Sequence, residues 1–180
     1  MENLATGTYD VTFSDVRVPL DNIVGEREGL NKAWPMLVGP GLDIEKLEVS
    51  AMALGIASAA VDEAWTYAQE RIQFGGPVSA FQSIRHMLAD AKTKLHACRI
   101  VTYNAADSLD NGSDVSLETS MAKLFASEAA ETIVSGAIQT LGGYGYLEEF
   151  GVAKIYRDVR VCQIYEGTSD IQRMVIARSL

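Results

Sequence analysis

DIEKLEVSAMALGIASAAVDEAWTYAQERI, residues 43–72, decides the fold of this chain. Leu47, Ala51, Leu54, Ser58, Val61, Trp65, Ala68 and Ile72 recur at alternating steps of four and three, a heptad stripe that only a helix can place on one face. Gly75-Gly76-Pro77 ends it. The next segment, from Ser79 to Asp110, puts Phe81, Ile84, Leu88, Ala91, Leu95, Cys98, Thr102, Ala105 and Leu109 on a second stripe of the same period. A period of 3.5 implies long helices packed nearly antiparallel in a left-handed bundle.

Working outward, Asn111-Gly112-Ser113 turns the chain, and Ser116 reads as the N-cap, with Glu118 in the first turn, of a third long helix that runs to Leu141 and stops at Gly142-Gly143. A shorter helix is expected over Val152–Val161. In the final one, Ser169 and Gln172 form a capping-box pattern, so that helix opens at Ser169 and reaches Arg178. On the other side, Gly39-Pro40-Gly41 closes a weak helix near Leu30–Leu37. The first residues differ: Thr8–Phe13 alternates and is rich in β-formers, and Val16–Pro19 is a second extended run. Two such strands make no stable sheet alone. The fold class is therefore all-α, an up-and-down four-helix-type bundle of three long helices and a composite final arm, preceded by a short N-terminal β remnant. Residues 1–29 form the remnant and 30–180 the bundle.

A chain of 180 residues buries enough surface to fold without a metal or disulfide staple. Cys98 and Cys162 stand apart in apolar surroundings and read as reduced core thiols, and His86 and His96 show no metal-site spacing. The net charge of −9 argues against nucleic acid as a partner. The most apolar run, Val49–Val61, is too short to span a bilayer. Met1-Glu2-Asn3-Leu4 resembles neither a signal nor a transit peptide, so the expected location is cytoplasmic.

Chemistry concentrates in four places. Tyr165-Glu166-Gly167-Thr168 sets one carboxylate on a turn before a helix, where the first-turn N–H groups can face a ligand oxygen; this suits removal of a proton next to a carbonyl, and equally describes a solvated glutamate in a loop. Arg71-Ile72-Gln73-Phe74-Gly75 pairs a guanidinium with an aromatic, a set that can bind a pyrophosphate and a flat ring or merely cap a helix. Gln139-Thr140-Leu141-Gly142-Gly143-Tyr144-Gly145 is glycine-rich but follows a helix, which excludes a Rossmann loop; it either admits a phosphate to the backbone or is a plain helix stop. Arg157-Asp158 and Arg160 are an ion-pair set or a solvated face.

Taken in this order, Arg71-x-x-Phe74-Gly75, Phe81-Gln82, Gln139-x-x-Gly142-Gly143-x-Gly145 and Tyr156-Arg157-Asp158 leading to Tyr165-Glu166-Gly167-Thr168 resemble the C-terminal half of the acyl-CoA dehydrogenase family, from Tyr9 to Leu180. The resemblance implies an FAD enzyme that oxidises the Cα–Cβ bond of an acyl-CoA and passes electrons to electron-transfer flavoprotein. It implies that Glu166 is the α-proton base, that Arg71, Phe74, Gln82, Gln139, Gly142, Gly143 and Thr168 contact FAD, several in a neighbouring subunit, and that Asp43, Lys46, Tyr165 and Gly167 lie on the substrate side. The assembly implied is a homodimer or homotetramer. Lys46 stands where many members carry an arginine. Leu42-Asp43-Ile44-Glu45 resembles the isovaleryl-type branch, which makes Glu45 a rival base; Glu166 is preferred because that branch lacks the later acid. Family members also carry an N-terminal helical domain and a middle β-domain, so the chain is read as a fragment, a truncated product or one half of a split enzyme whose other chain supplies them, inactive alone. A noncatalytic helical module that keeps the bundle for self-association is the competing reading, and oxidase chemistry a third.

Overall fold

The computed structural model describes residues 9–112 and 114–180, with the side chains of Met36 and Leu37 left aside. Thr8, the Met1–Leu4 segment and Ser113 of the turn lie outside the described residues.

Five helices carry the fold: α1 Leu42–Glu70, α2 Gln82–Asp110, α3 Ser116–Leu141, α4 Gly151–Val161 and α5 Ser169–Arg178. The expected ends hold to within two residues except at the start of α2, which opens at Gln82, three residues after the expected Ser79. α1 and α3 run parallel, because Lys46 meets Ser120 near their starts and Tyr67 meets Tyr144 near their ends. α2 runs back between those ends. The arm then returns along α3: Gly151 sits beside Glu63, whereas Gln163 reaches Ser127 and Glu131.

The stripe expected on α1 is not the seam that packs best. Leu54, Val61 and Ala68 are buried, but Ala51, Trp65 and Ile72 are exposed. The closed seam lies one step round the helix, on Val49, Ala53, Ala57, Ala60, Ala64 and Ala68, and it faces Ala122, Ala126, Ala130, Ile133 and Ala137 of α3. Small side chains let two helix backbones approach, so α3 takes the alanine face and α2 is left with the bulkier one. Toward α2 the larger residues surround an open groove of about 540 Å³ between Leu47, Ala51, Leu54, Ser58, Thr102 and Tyr103. On α2 the stripe holds from Ile84 to Leu109, with only Phe81 exposed. Enlarging one seam alanine tests this packing. Ala57→Leu is expected to cost about 1–3 kcal/mol through overpacking, while Ala51→Leu on the groove side is neutral; thermal unfolding followed by circular dichroism separates the two.

Three further expectations are corrected. Residues 9–19 are exposed and, among the described residues, form no strand; Asp15 takes a positive φ of 52°. The weak helix at Leu30–Leu37 is only a turn at Trp34–Met36, followed by a wide π-type turn at Leu37–Gly41 that Pro40 and the non-helical Gly39 prevent from continuing as α-helix. Ser116 and Ser169 are first helical residues, not caps: Val115 and Thr168 occupy the cap positions. Both cysteines are free and buried, and burial pushes the Cys98 thiol up to about 11. Among the described residues no helix is long and apolar enough to cross a membrane.

Candidate active site

The segment after α4 makes a tight reversal because α5 must begin beside α3. Glu166 and Gly167 both take positive φ, 51° and 83°. For a glutamate this is a strained conformation, worth about 1–3 kcal/mol, and it persists only where neighbours hold it. Two fully buried side chains do so. Lys123 of α3 donates from Nζ to the Gly167 carbonyl at 2.6 Å, and Gln172 of α5 donates from Nε2 to the carbonyls of Gly167 and Glu166 at 2.9 and 3.2 Å. The expected capping box is therefore rewired: Gln172 serves the turn, and the Thr168 hydroxyl accepts the Ile171 N–H at 3.3 Å.

With its backbone fixed, Glu166 presents its carboxyl to a cavity of about 280 Å³ lined by Glu45, Glu48, Val49, Met52 and Tyr165. The Glu166 acid is raised above its ordinary range, first by hydrogen bonding with the nearby Glu45 carboxyl, then by desolvation and the repulsion of Glu45 and Glu48; Lys123 opposes the rise. Tyr165 tucks its hydroxyl toward Met52 Sδ and Cys162 Sγ, and burial pushes that phenol up, so it remains a neutral donor. One turn from Glu45, Lys46 and Asp43 form a buried ion pair at 2.8 Å, with Lys46 also donating to Ser120 Oγ. Two of the four residues expected on the substrate side thus engage each other.

The remaining candidates lie at the opposite end of α1. Glu45 and Arg71 are separated by almost the whole helix, about 40 Å at 1.5 Å per residue. There Ile72–Gln73 pairs with Gly76–Pro77 as a two-residue hairpin, β1 and β2, turned by Phe74 and Gly75 at φ 51° and 86°. Phe74 is 93% exposed and meets Phe81 edge-on. Arg71 lies over the Tyr144 ring at 5.2 Å, which joins the hairpin to the loop after α3. In that loop Gly142 (φ 61°) and Gly143 present open backbone: a Cβ at either, or at Gly75 or Gly76, would meet nothing within 4 Å. Gln139 and Gln82 are exposed at the same end. A guanidinium, bare backbone and a free aromatic together fit a diphosphate joined to flat rings.

Residues 34–180 match the family model of the acyl-CoA dehydrogenase C-terminal domain. The chain belongs to the acyl-CoA dehydrogenase family. It is 47% identical to the 3-(aryl)acrylate reductase of Clostridium sporogenes (strain ATCC 15579), over 96% of this chain and 45% of that protein. It is 44% identical to the CarC subunit of the caffeyl-CoA reductase-Etf complex of Acetobacterium woodii (strain ATCC 29683 / DSM 1030 / JCM 2381 / KCTC 1655 / WB1), over 98% and 46%. The three-dimensional structure of butyryl-CoA dehydrogenase from Megasphaera elsdenii superposes with a TM-score of 0.85 at 41% identity, covering 93% of this chain and 43% of that one. The chain thus spans less than half the length of these acyl-CoA dehydrogenase relatives. The family's members are flavoproteins and oxidoreductases.

One residue that builds the site, Lys123, is not among the sequence candidates. Lys123 sits at a core position of the stripe Thr119, Ala126, Ile133, Ala137, and a lysine in such a register is a signal that could have been read. Gln172 belongs to the expected capping box, but its side chain bonds the Glu166 and Gly167 carbonyls instead. The expected ion-pair set is not formed among its own members: Asp158 pairs with Lys154, Arg157 reaches the exposed Glu148, and Arg160 reaches Gln163 and Glu131, while the Gln163 carbonyl accepts the Ser169 N–H.

Proposed function

We propose that this chain is the C-terminal domain of an FAD-dependent enzyme that exchanges the α-proton of an acyl-CoA thioester, with Glu166 as the residue that takes it. The observation carrying this reading is the Glu166 turn, strained, doubly clamped and facing a cavity. Residues 1–29 would be the end of a preceding β-domain. The Glu166 backbone N–H would hold the thioester oxygen as charge develops on it, and Tyr165, Gly167, Asp43 and Lys46 would form the wall on the substrate side. Arg71, Phe74, Gln82, Gln139, Gly142 and Gly143 would hold one flavin dinucleotide, Thr168 would approach another, and the separation of the two sets along α1 supports a homodimer or homotetramer in which each cofactor is shared between copies. Bound there, FAD supplies acceptance of the β-hydrogen as hydride. Electron-transfer flavoprotein is the proposed redox partner, in keeping with the complex named for the Acetobacterium relative.

A second reading has its own support: two relatives are named as reductases, so the site would run toward saturation, with Glu166 delivering the α-proton to an α,β-unsaturated thioester. Joining this chain to the N-terminal and middle domains of the butyryl-CoA dehydrogenase tests both. The product is expected to be yellow, bleached by a saturated acyl-CoA in the first reading and, once reduced, recoloured by an enoyl-CoA in the second. A folded, colourless oligomer that takes up no FAD would favour a noncatalytic module.

A further inference from the structure

Two carboxylates repel, and neither can donate a hydrogen bond to the other without a proton. Yet Glu45, from the first turn of α1, and Glu166, from the turn before α5, line one cavity together. Both backbones are held there: Lys123 and Gln172 bind the carbonyls of Gly167 and Glu166, and the start of the helix that carries Glu45 is pinned by the Lys46–Asp43–Ser120 set.

We propose that Glu45 and Glu166 form a proton-sharing carboxyl pair, in which Glu45 is a positioning residue that orients the Glu166 carboxyl and accepts a hydrogen bond from it once it carries the proton. This deepens the reading of Glu166 as the α-proton residue and rests on it for its functional meaning. The pair passes a single proton: in one direction the Glu166 carboxylate takes the α-proton as the C–H bond breaks, and the acid so formed donates its hydrogen bond to the Glu45 carboxylate; in the other the O–H bond of Glu166 breaks as a C–H bond forms at the α-carbon, leaving two carboxylates whose repulsion favours reprotonation. The charged groups that face the pair are Glu48 from α1 and Lys123 from α3, with the neutral Tyr165 hydroxyl on the arm. Lys123 opposes the pair's proton affinity and Glu48 adds to it, so the raised Glu166 acid reflects chiefly the Glu45 contact.

The test is a carbon-13 NMR titration of the full chain labelled at the glutamate side-chain carboxyl carbon, with the Glu166 signal assigned by its loss in Glu166→Gln. In the wild type, Glu166 is expected to titrate above the ordinary carboxyl range and in two steps. Glu45→Gln should shift its midpoint down and remove the second step, and Glu48→Gln, which removes only a nearby charge, should shift it much less. Identical Glu166 curves in wild type and Glu45→Gln, or equal shifts from Glu45→Gln and Glu48→Gln, would overturn the pair. Should glutamine at 45 disturb the fold, Glu45→Asp, whose shorter arm withdraws the carboxyl, must give the same downward shift or the proposal fails. The titration needs neither flavin nor thioester, so its failure leaves the proposed function standing, and a colourless chimera leaves the pair standing.

Discussion

Replacing Glu166 by glutamine in the three-domain chimera is expected to lower turnover by about 10²–10⁴-fold while leaving the helical signal and unfolding temperature near those of the parent. Glutamine has the shape of glutamate and keeps the backbone N–H, so the turn and the thioester contact persist. What is lost is the only group on the turn that can accept a proton at the α-carbon. Glu45→Gln should act far more weakly on the limiting rate, because Glu45 works through Glu166. Its main effect is on pH. The folded Glu166 acid is raised, and dehydrogenation needs it unprotonated, so kcat/KM should rise with pH through that raised value; removing the Glu45 contact moves the rise to lower pH. The reductive direction requires the protonated form and inverts the sign. Unchanged turnover in Glu166→Gln, with a collapse in Glu45→Gln, would transfer the chemistry to Glu45.

The two acids were readable as candidates from sequence, but their contact was not. Glu45 and Glu166 are separated by most of the chain, and what joins them is the return of the arm along α3, which depends on tertiary packing rather than on any local signal. Helix positions were legible because glycine, proline and asparagine punctuate long stripes. The choice of face on α1 was less so: the helix is apolar on two sides, and periodicity alone does not say that alanines close one interface while leucine, tyrosine and serine leave a groove at the other. At the hairpin end, the open backbone at Gly75, Gly76, Gly142 and Gly143 agrees with the sequence motifs. The N-terminal segment shows the opposite case, since β-forming residues without a partner strand stay unpaired.

Lys123→Met is the substitution expected to damage the scaffold most at a single polar position. The lysine is fully buried, and its ammonium makes one short bond, to the Gly167 carbonyl. Methionine fills nearly the same volume, so the loss isolates the bond. A charge-assisted bond of this kind contributes about 1.5–3 kcal/mol, which for a chain of this size corresponds to a fall in Tm of about 3–12 °C. The effect on pH has a definite sign. Burial lowers the Lys123 ammonium below its ordinary 10.5, so between the lowered value and 10.5 the unfolded chain binds the extra proton and wild-type stability gains as pH rises; the methionine variant lacks that gain. Turnover in the chimera should fall more than the stability loss accounts for at temperatures where both proteins are folded. With only Gln172 left to hold the strained Glu166–Gly167 turn, the carboxyl samples geometries that no longer face the cavity. Lys123→Arg keeps the charge but not the size, and is expected to preserve neither property. A methionine variant with wild-type Tm and wild-type turnover would show that Gln172 alone fixes the turn and that the buried ammonium serves another purpose.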